Sequence, residues 1–205
     1  MRKVALVPVQ ASFTRVVLSG DDEQLQGEVD AARADIARAA EEQVRAQKFE
    51  FATLPLDEKT FQSDPELAFQ LTLVQVAADG AMERALRGSP KSDDTLSGTR
   101  TVLAETDRLA RLVDADALLF VRFFGWDKSG GEFAKDAAAA AVVFAASGGM
   151  LLAMSQPSGA EVVVCLIDAR TGEVLYAKRG DSQSDASAST DPYELTLRAL
   201  EQLKR

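Results

Sequence analysis

Leu118-Leu119-Phe120-Val121-Arg122-Phe123-Phe124-Gly125-Trp126 carries a single charge among bulky apolar residues. Aromatic and β-branched residues suit a pleated, covered surface, so the run reads as a strand. Alternation places Phe120, Arg122, Phe124 and Trp126 on one face and Leu119, Val121 and Phe123 on the other. Both faces are apolar, which is the pattern of a strand covered on both sides. Downstream, Glu161 to Gly180 reads as two strands joined at Asp168-Ala169-Arg170-Thr171-Gly172. Asp168 can bond the backbone of its own turn, and Gly172 can supply the positive φ that closes it.

Upstream, Lys3 to Val9 is the first strand, with Ala5, Val7 and Val9 expected on one face and Val4 and Leu6 on the other. Thr14 to Leu18 is a short extended piece. Ser19-Gly20-Asp21-Asp22 is expected to open a helix reaching about Gln47, whose Leu25, Val29, Ala32, Ile36, Ala39 and Ala40 recur at helical spacing. Lys48 to Leu54 is a second strand. Asp64-Pro65-Glu66 starts another helix, with proline at its first position. It carries two apolar stripes, Leu67/Leu71/Val74/Ala78/Met82 and Phe69/Leu73/Val76, and so is expected to be buried on two sides. Gly88-Ser89-Pro90 ends it, and a polar loop, Lys91 to Gly98, follows. Val102, Thr106, Leu109 and Val113 mark a third helix. Asp181 to Thr190 reads as a linker, and Asp191-Pro192-Tyr193-Glu194 starts the last helix.

This order gives one α/β domain over 1–205: a mixed sheet of about five strands, helices on both faces and a C-terminal strand hairpin. An Ala/Gly-rich apolar insert over 133–158 precedes the hairpin. No charge falls between Asp136 and Glu161. As one helix, Ala137 to Met154 would span about 27 Å against a bilayer core of roughly 30 Å. Ser147-Gly148-Gly149 interrupts that helix, since each glycine costs about 1 kcal/mol there. The expectation is helical structure broken near the glycines and packed on protein. Val142, Phe144, Met150 and Leu151 then serve the monomer's core or a partner interface. Membrane contact is the third alternative.

Composition narrows the function. A net charge of −9 opposes nucleic-acid binding, which needs clustered Lys and Arg. The chain has no histidine, which removes the commonest general base and metal ligand. Its one cysteine, Cys165, sits inside a strand and reads as a small buried apolar residue. Nucleotide-binding glycine motifs are absent. Asp21-Asp22-Glu23, Asp57-Glu58, Asp93-Asp94 and Asp114/Asp116 stand at helix starts or in polar loops, where capping explains them, and none has calcium-loop spacing. No catalytic residue, cofactor or metal site is therefore expected.

Three segments resemble the envelope lipoprotein superfamily with the TolB N-terminal-domain-like fold, which includes the curli-secretion channel lipoprotein and penicillin-binding-protein activator lipoproteins. They are Val4-Ala5-Leu6-Val7-Pro8-Val9, Leu109-Ala110-Arg111-Leu112-Val113-Asp114-Ala115-Asp116-Ala117-Leu118-Leu119, and Leu166-Ile167-Asp168-Ala169-Arg170-Thr171-Gly172-Glu173-Val174-Leu175-Tyr176. The resemblance implies a periplasmic, membrane-anchored lipoprotein with an assembly or scaffolding role. Its tether would be a lipidated cysteine upstream of Met1. If Met1 is the native start, the location is the cytoplasm.

After the insert, Arg122, Phe124 and Trp126 are the second candidates for contact with an envelope partner or a second copy, with Trp126 as anchor, because Trp and Arg dominate interface hot spots. The bland reading of Arg122 is that its stem covers the core edge while its head reaches water. A carboxylate-dependent enzyme or small-ligand binder, using a cleft near the strand ends, is the alternative class.

Overall fold

The computed structural model describes residues 1–16, 23–56, 58–87, 100–128, 158–182, 190–201 and 203. The elements are β1 (Lys3–Leu6), β2 (Gln10–Val16), β3 (Glu23–Gln24), α1 (Gln26–Ala46), β4 (Glu50–Thr53), α2 (Glu58–Ser63), α3 (Pro65–Arg87), α4 (Arg100–Arg111), β5 (Ala117–Lys128), β6 (Ser158–Asp168), β7 (Val174–Asp181) and α5 (Pro192–Leu200). The insert residues Ala137–Met154, with Val142, Phe144, Met150 and Leu151, lie outside the described residues. So do the loop at Lys91–Gly98, Ser19–Asp22, Asp57 and most of the linker after Ser182.

The seven strands among the described residues form one mixed sheet. β5 is its axis. One edge of β5 carries β1 beside its N-terminal half and β2 beside its C-terminal half, both parallel. The other edge pairs antiparallel with β6 along nearly its whole length, and β6 pairs antiparallel with β7. β4 lies outside β1, and β3 lies outside β2. The five columns expected from sequence are thus present, with the first column split in two and β3 added at its edge.

The split has a simple cause. Leu6 faces Leu119 and Gln10 faces Arg122, so four steps on the outer strand match three on β5. One extra residue bulges out, at a position holding Pro8, which cannot donate to a ladder. A one-residue offset exchanges the faces of everything beyond it. Val7 accordingly packs with Ala5 in the core on one side of the sheet, whereas Val9, Ala11 and Phe13 pack in the core on the other. The expectation that Val9 shares the face of Ala5 and Val7 fails for this reason.

Helices cover both faces. On one, α1 and α5 bury Ala32, Ile36, Ala40, Val44, Leu195, Ala199 and Leu200 against Leu6, Leu119, Val121, Phe123, Val162 and Val164. Arg38 lies over the Tyr193 ring at 4.5 Å, and Tyr193 Oη donates to Glu42, which ties α5 to α1. On the other face, α3 and α4 bury Leu67, Leu71, Val74, Ala78, Met82, Leu109 and Ala110 against Val7, Leu118, Phe120, Val163, Cys165 and Ile167.

Two helix expectations need correction. α1 begins at Gln26 after the strand β3, not at Ser19-Gly20, and no side chain caps it. The second stripe of α3 is not buried: Phe69 is 58% exposed and Val76 66% exposed. The starts of α3 and α5 form as their sequences specify. Asp64 Oδ1 accepts from Leu67 N, and Asp191 Oδ1 accepts from Tyr193 N beside Pro192.

The hairpin turn also forms as expected. Asp168 Oδ1 accepts from the N–H groups of Arg170 and Thr171, Gly172 N donates to Asp168 O, and Gly172 has φ 68°. Asp114, with φ 52°, closes the end of α4. The carboxylate of Asp116 then accepts from the N–H groups of Arg2 and Lys3, pinning the start of β1 to the start of β5. These two bonds hold its carboxyl below the usual carboxylate range. A lowered folded-state pKa means the contribution is present above the unfolded value of about 4 and is lost as pH falls through the folded one. Asp116→Asn should therefore cost about 1 kcal/mol at neutral pH, with solvent screening keeping it below the usual range for charge-assisted bonds. Thermal unfolding scanned from pH 7 to 2 should show a shallower acid limb in the variant. Parallel curves would show that Asp116 does not carry this linkage.

Candidate functional site

Alternation along β5 sends Arg122 to the α3 face, one position beyond the buried Phe120. There the helix offers two carboxylates one turn apart. Arg122 Nη1 lies 3.5 Å from Asp79 Oδ1, and Nη2 lies 3.3 Å from Glu83 Oε1. Arg179 of β7 extends the chain of charges, 3.8 Å from Glu83 and 3.2 Å from Glu161 of β6. The head of Arg122 is therefore held in ion pairs between α3 and the sheet, while its side chain stays 35% exposed. Asp79 Oδ1 is buried and accepts no hydrogen bond among the described residues, although Arg122 Nη1 lies 3.5 Å away. Burial pushes the Asp79 carboxyl above the usual carboxylate range, against the pull of Arg122.

Two positions on, the same face carries an aromatic pair. Phe124 and Trp126 stack with ring centroids 5.5 Å apart and planes inclined at 26°. Such pairs are worth about 0.5–1.5 kcal/mol beyond their buried area. The indole lies against Gly159 of β6, the cross-strand partner of Trp126, so closely that any Cβ there would overlap it. Trp126 is thereby seated on the sheet, while Phe124 remains 46% exposed. Arg122, Phe124 and Trp126 thus share one strip of β5. Neither the ion-pair partners on α3, about forty residues upstream, nor the glycine seat has a local signal in the sequence.

A second feature lies where the outer strand bulges. A cleft of about 410 Å³ is lined by Pro8–Ser12, Arg33 of α1, Leu71 and Gln75 of α3, and Arg122 and Phe123 of β5. No carboxylate lines it among the described residues.

Cys165 is buried in β6, and burial, with Asp79 nearby, pushes its thiol up to about 12. A thiol with that pKa is not a nucleophile at neutral pH. Among the described residues, no group of three or more Cys, Asp or Glu side chains is placed to hold a metal ion. No helix among them is long and apolar enough to cross a membrane.

The fold resembles solved structures of other proteins. Lipoprotein GNA1162 from Neisseria meningitidis aligns over 99% of this chain and 98% of its own, with TM-score 0.40 and 10% identity. The LpoB C-terminal domain from Salmonella enterica aligns over 88% and 82%, with TM-score 0.29 and 15% identity. The Escherichia coli LpoB C-terminal domain aligns over 87% and 80%, with TM-score 0.30 and 13% identity. No family model and no curated protein matches the sequence.

Proposed function

We propose that this chain is a non-enzymatic, protein-binding domain of a cell-envelope lipoprotein, tethered through a lipidated cysteine upstream of Met1. The observation that carries the binding role is the Phe124–Trp126 stack, seated on Gly159 and open to solvent. Its geometry is set before any partner arrives, so little side-chain entropy is lost on docking. Arg122 borders the pair, and an aromatic anchor beside a guanidinium is the composition of interface hot spots. The envelope location rests on the sequence resemblance of the Val4–Val9, Leu109–Leu119 and Leu166–Tyr176 segments.

The test is a photo-crosslinking amino acid placed at Phe124 in living cells, with the same group at Leu175, a strand residue 42% exposed, as control. The binding role predicts a discrete adduct with an envelope protein at 124, none at 175, and loss of the adduct when Trp126→Ala is added. Equal labelling at both positions, or none at 124, would defeat the proposal. Metabolic labelling of the full precursor with a palmitate analogue tests the tether separately, and an unlabelled protein in the cytosol would remove it.

A further inference from the structure

We infer that the cleft at the Pro8 bulge is a binding site for a small organic carboxylate; it shares Arg122 with the aromatic strip but does not involve Phe124 or Trp126. Topology supplies the first reason. β1 and β4 are adjacent and parallel. The chain leaving β1 runs on as β2 and β3 before α1 covers one face of the sheet, and the chain leaving β4 leads through α2 to α3 on the other. The edge of β2 beyond the end of β4 therefore lies between the two helix layers, where a small ligand can reach it. The cleft occupies that place, with Arg33 of α1 and Leu71 and Gln75 of α3 forming its opposite walls. Its volume, about 410 Å³, lies within the usual range for small-molecule sites.

The backbone supplies the second reason. β4 ends at Thr53, opposite Leu6, and β3 begins only beside Thr14 and Arg15. Among the described residues, no strand pairs with the sheet edge between them. The Phe13 carbonyl faces this edge, because it accepts from Leu25 N. Alternation turns the backbone groups of Ala11 to the same side. The Ala11 N–H is thus aimed at the cleft as a donor.

Charge supplies the third. The chain is acidic overall, yet the two ionised groups lining this cleft are both guanidinia. Arg33 is engaged by Asp30 at 3.2 Å, a pair exposed on both sides and so of little worth. Arg122 is engaged from the α3 side by Asp79 and Glu83. Each guanidinium has five N–H donors, which leaves both able to accept a carboxylate. Leu71, Pro8 and Val9 provide apolar contact for a short hydrocarbon portion.

Hexanoate is the first probe. A second is a short apolar peptide with a free C-terminal carboxylate, compared with its C-terminal amide. Titration into ¹⁵N-labelled protein should give saturable shifts of the Val9, Gln10, Ala11 and Gln75 amides below about 10 mM, a weak but specific affinity. Hexanol should give none. Arg33→Gln, a surface change that leaves the core intact, should weaken binding about tenfold. Deleting Pro8 should abolish it, because the deletion restores unbroken pairing of Val7 and Val9 with Phe120 and Val121 while keeping the registers on either side. Tighter binding of the peptide acid than of hexanoate assigns the carboxylate to a protein C-terminus; the reverse assigns it to a free acid. No saturable shift with either probe, equal shifts with hexanol, or undiminished binding in Arg33→Gln overturns the site.

Discussion

Phe123→Ala will lower the melting temperature by about 10 °C, while Phe124→Ala, one residue along the same strand, will lower it by no more than a few degrees. Phe123 is fully buried in the core beneath α1 and α5. Removing its ring forfeits the transfer free energy and leaves a cavity that the surrounding sheet closes only in part, a loss of about 3–5 kcal/mol. In a domain of this size each kcal/mol moves the midpoint by about 2–4 °C. Phe124 faces the other way, is exposed and forfeits mainly its stack with Trp126, about 0.5–1.5 kcal/mol. Urea unfolding of both variants, with unchanged m-values, gives the comparison. Similar losses at the two positions would contradict the assignment of faces along β5.

Gly125→Val will be the second large effect, about 2–3 kcal/mol, within the usual range for overpacking. Gly125 is buried and faces Phe13 across the β2–β5 ladder. A Cβ there would overlap the Phe13 ring and come within 3.1 Å of the Phe123 ring. Phe13 sits against the core under α1, so it has limited room to retreat. The double variant with Phe13→Ala should recover part of the loss, giving a coupling of about 1 kcal/mol in a double-mutant cycle. Additive losses would mean that the glycine is required for something other than space for that ring.

The central strand, the hairpin and the helix starts at Asp64 and Asp191 were readable because their determinants are local. Alternating bulk along Leu118–Trp126, an Asp and a Gly at fixed turn positions, and an Asp-Pro pair each act within a few residues. The bulge was not readable in full. Pro8 marks an interruption, but whether the chain turns away there or resumes the same column after one extra residue depends on β5, more than a hundred residues later. The outer stripe of α3 misled for a related reason: Phe69, Leu73 and Val76 have the spacing of a packed face, and spacing alone does not say what lies opposite. At the candidate site, Phe124 and Trp126 were legible as an aromatic row. The ion pairs of Arg122 depend on tertiary placement of Asp79 and Glu83. The cleft, built from five separated stretches, had no sequence signature beyond Pro8 itself.

The position of β5 sets how the molecule breathes. Because β1 and β2 together flank one of its edges and β6 flanks the other, the amides of β5 donate alternately to neighbours that are themselves held in the sheet. Local fraying can free β3 and β4, which are short and paired on one side only. In deuterated buffer the edge amides should therefore exchange early and independently. Those of β5 should exchange together, at the rate set by global unfolding. The slowest-exchanging amides of the chain are expected in this strand, in the segment immediately before the exposed aromatic pair. That pair is carried by the last segment to open, so a partner docking there would grip the domain at its most rigid point.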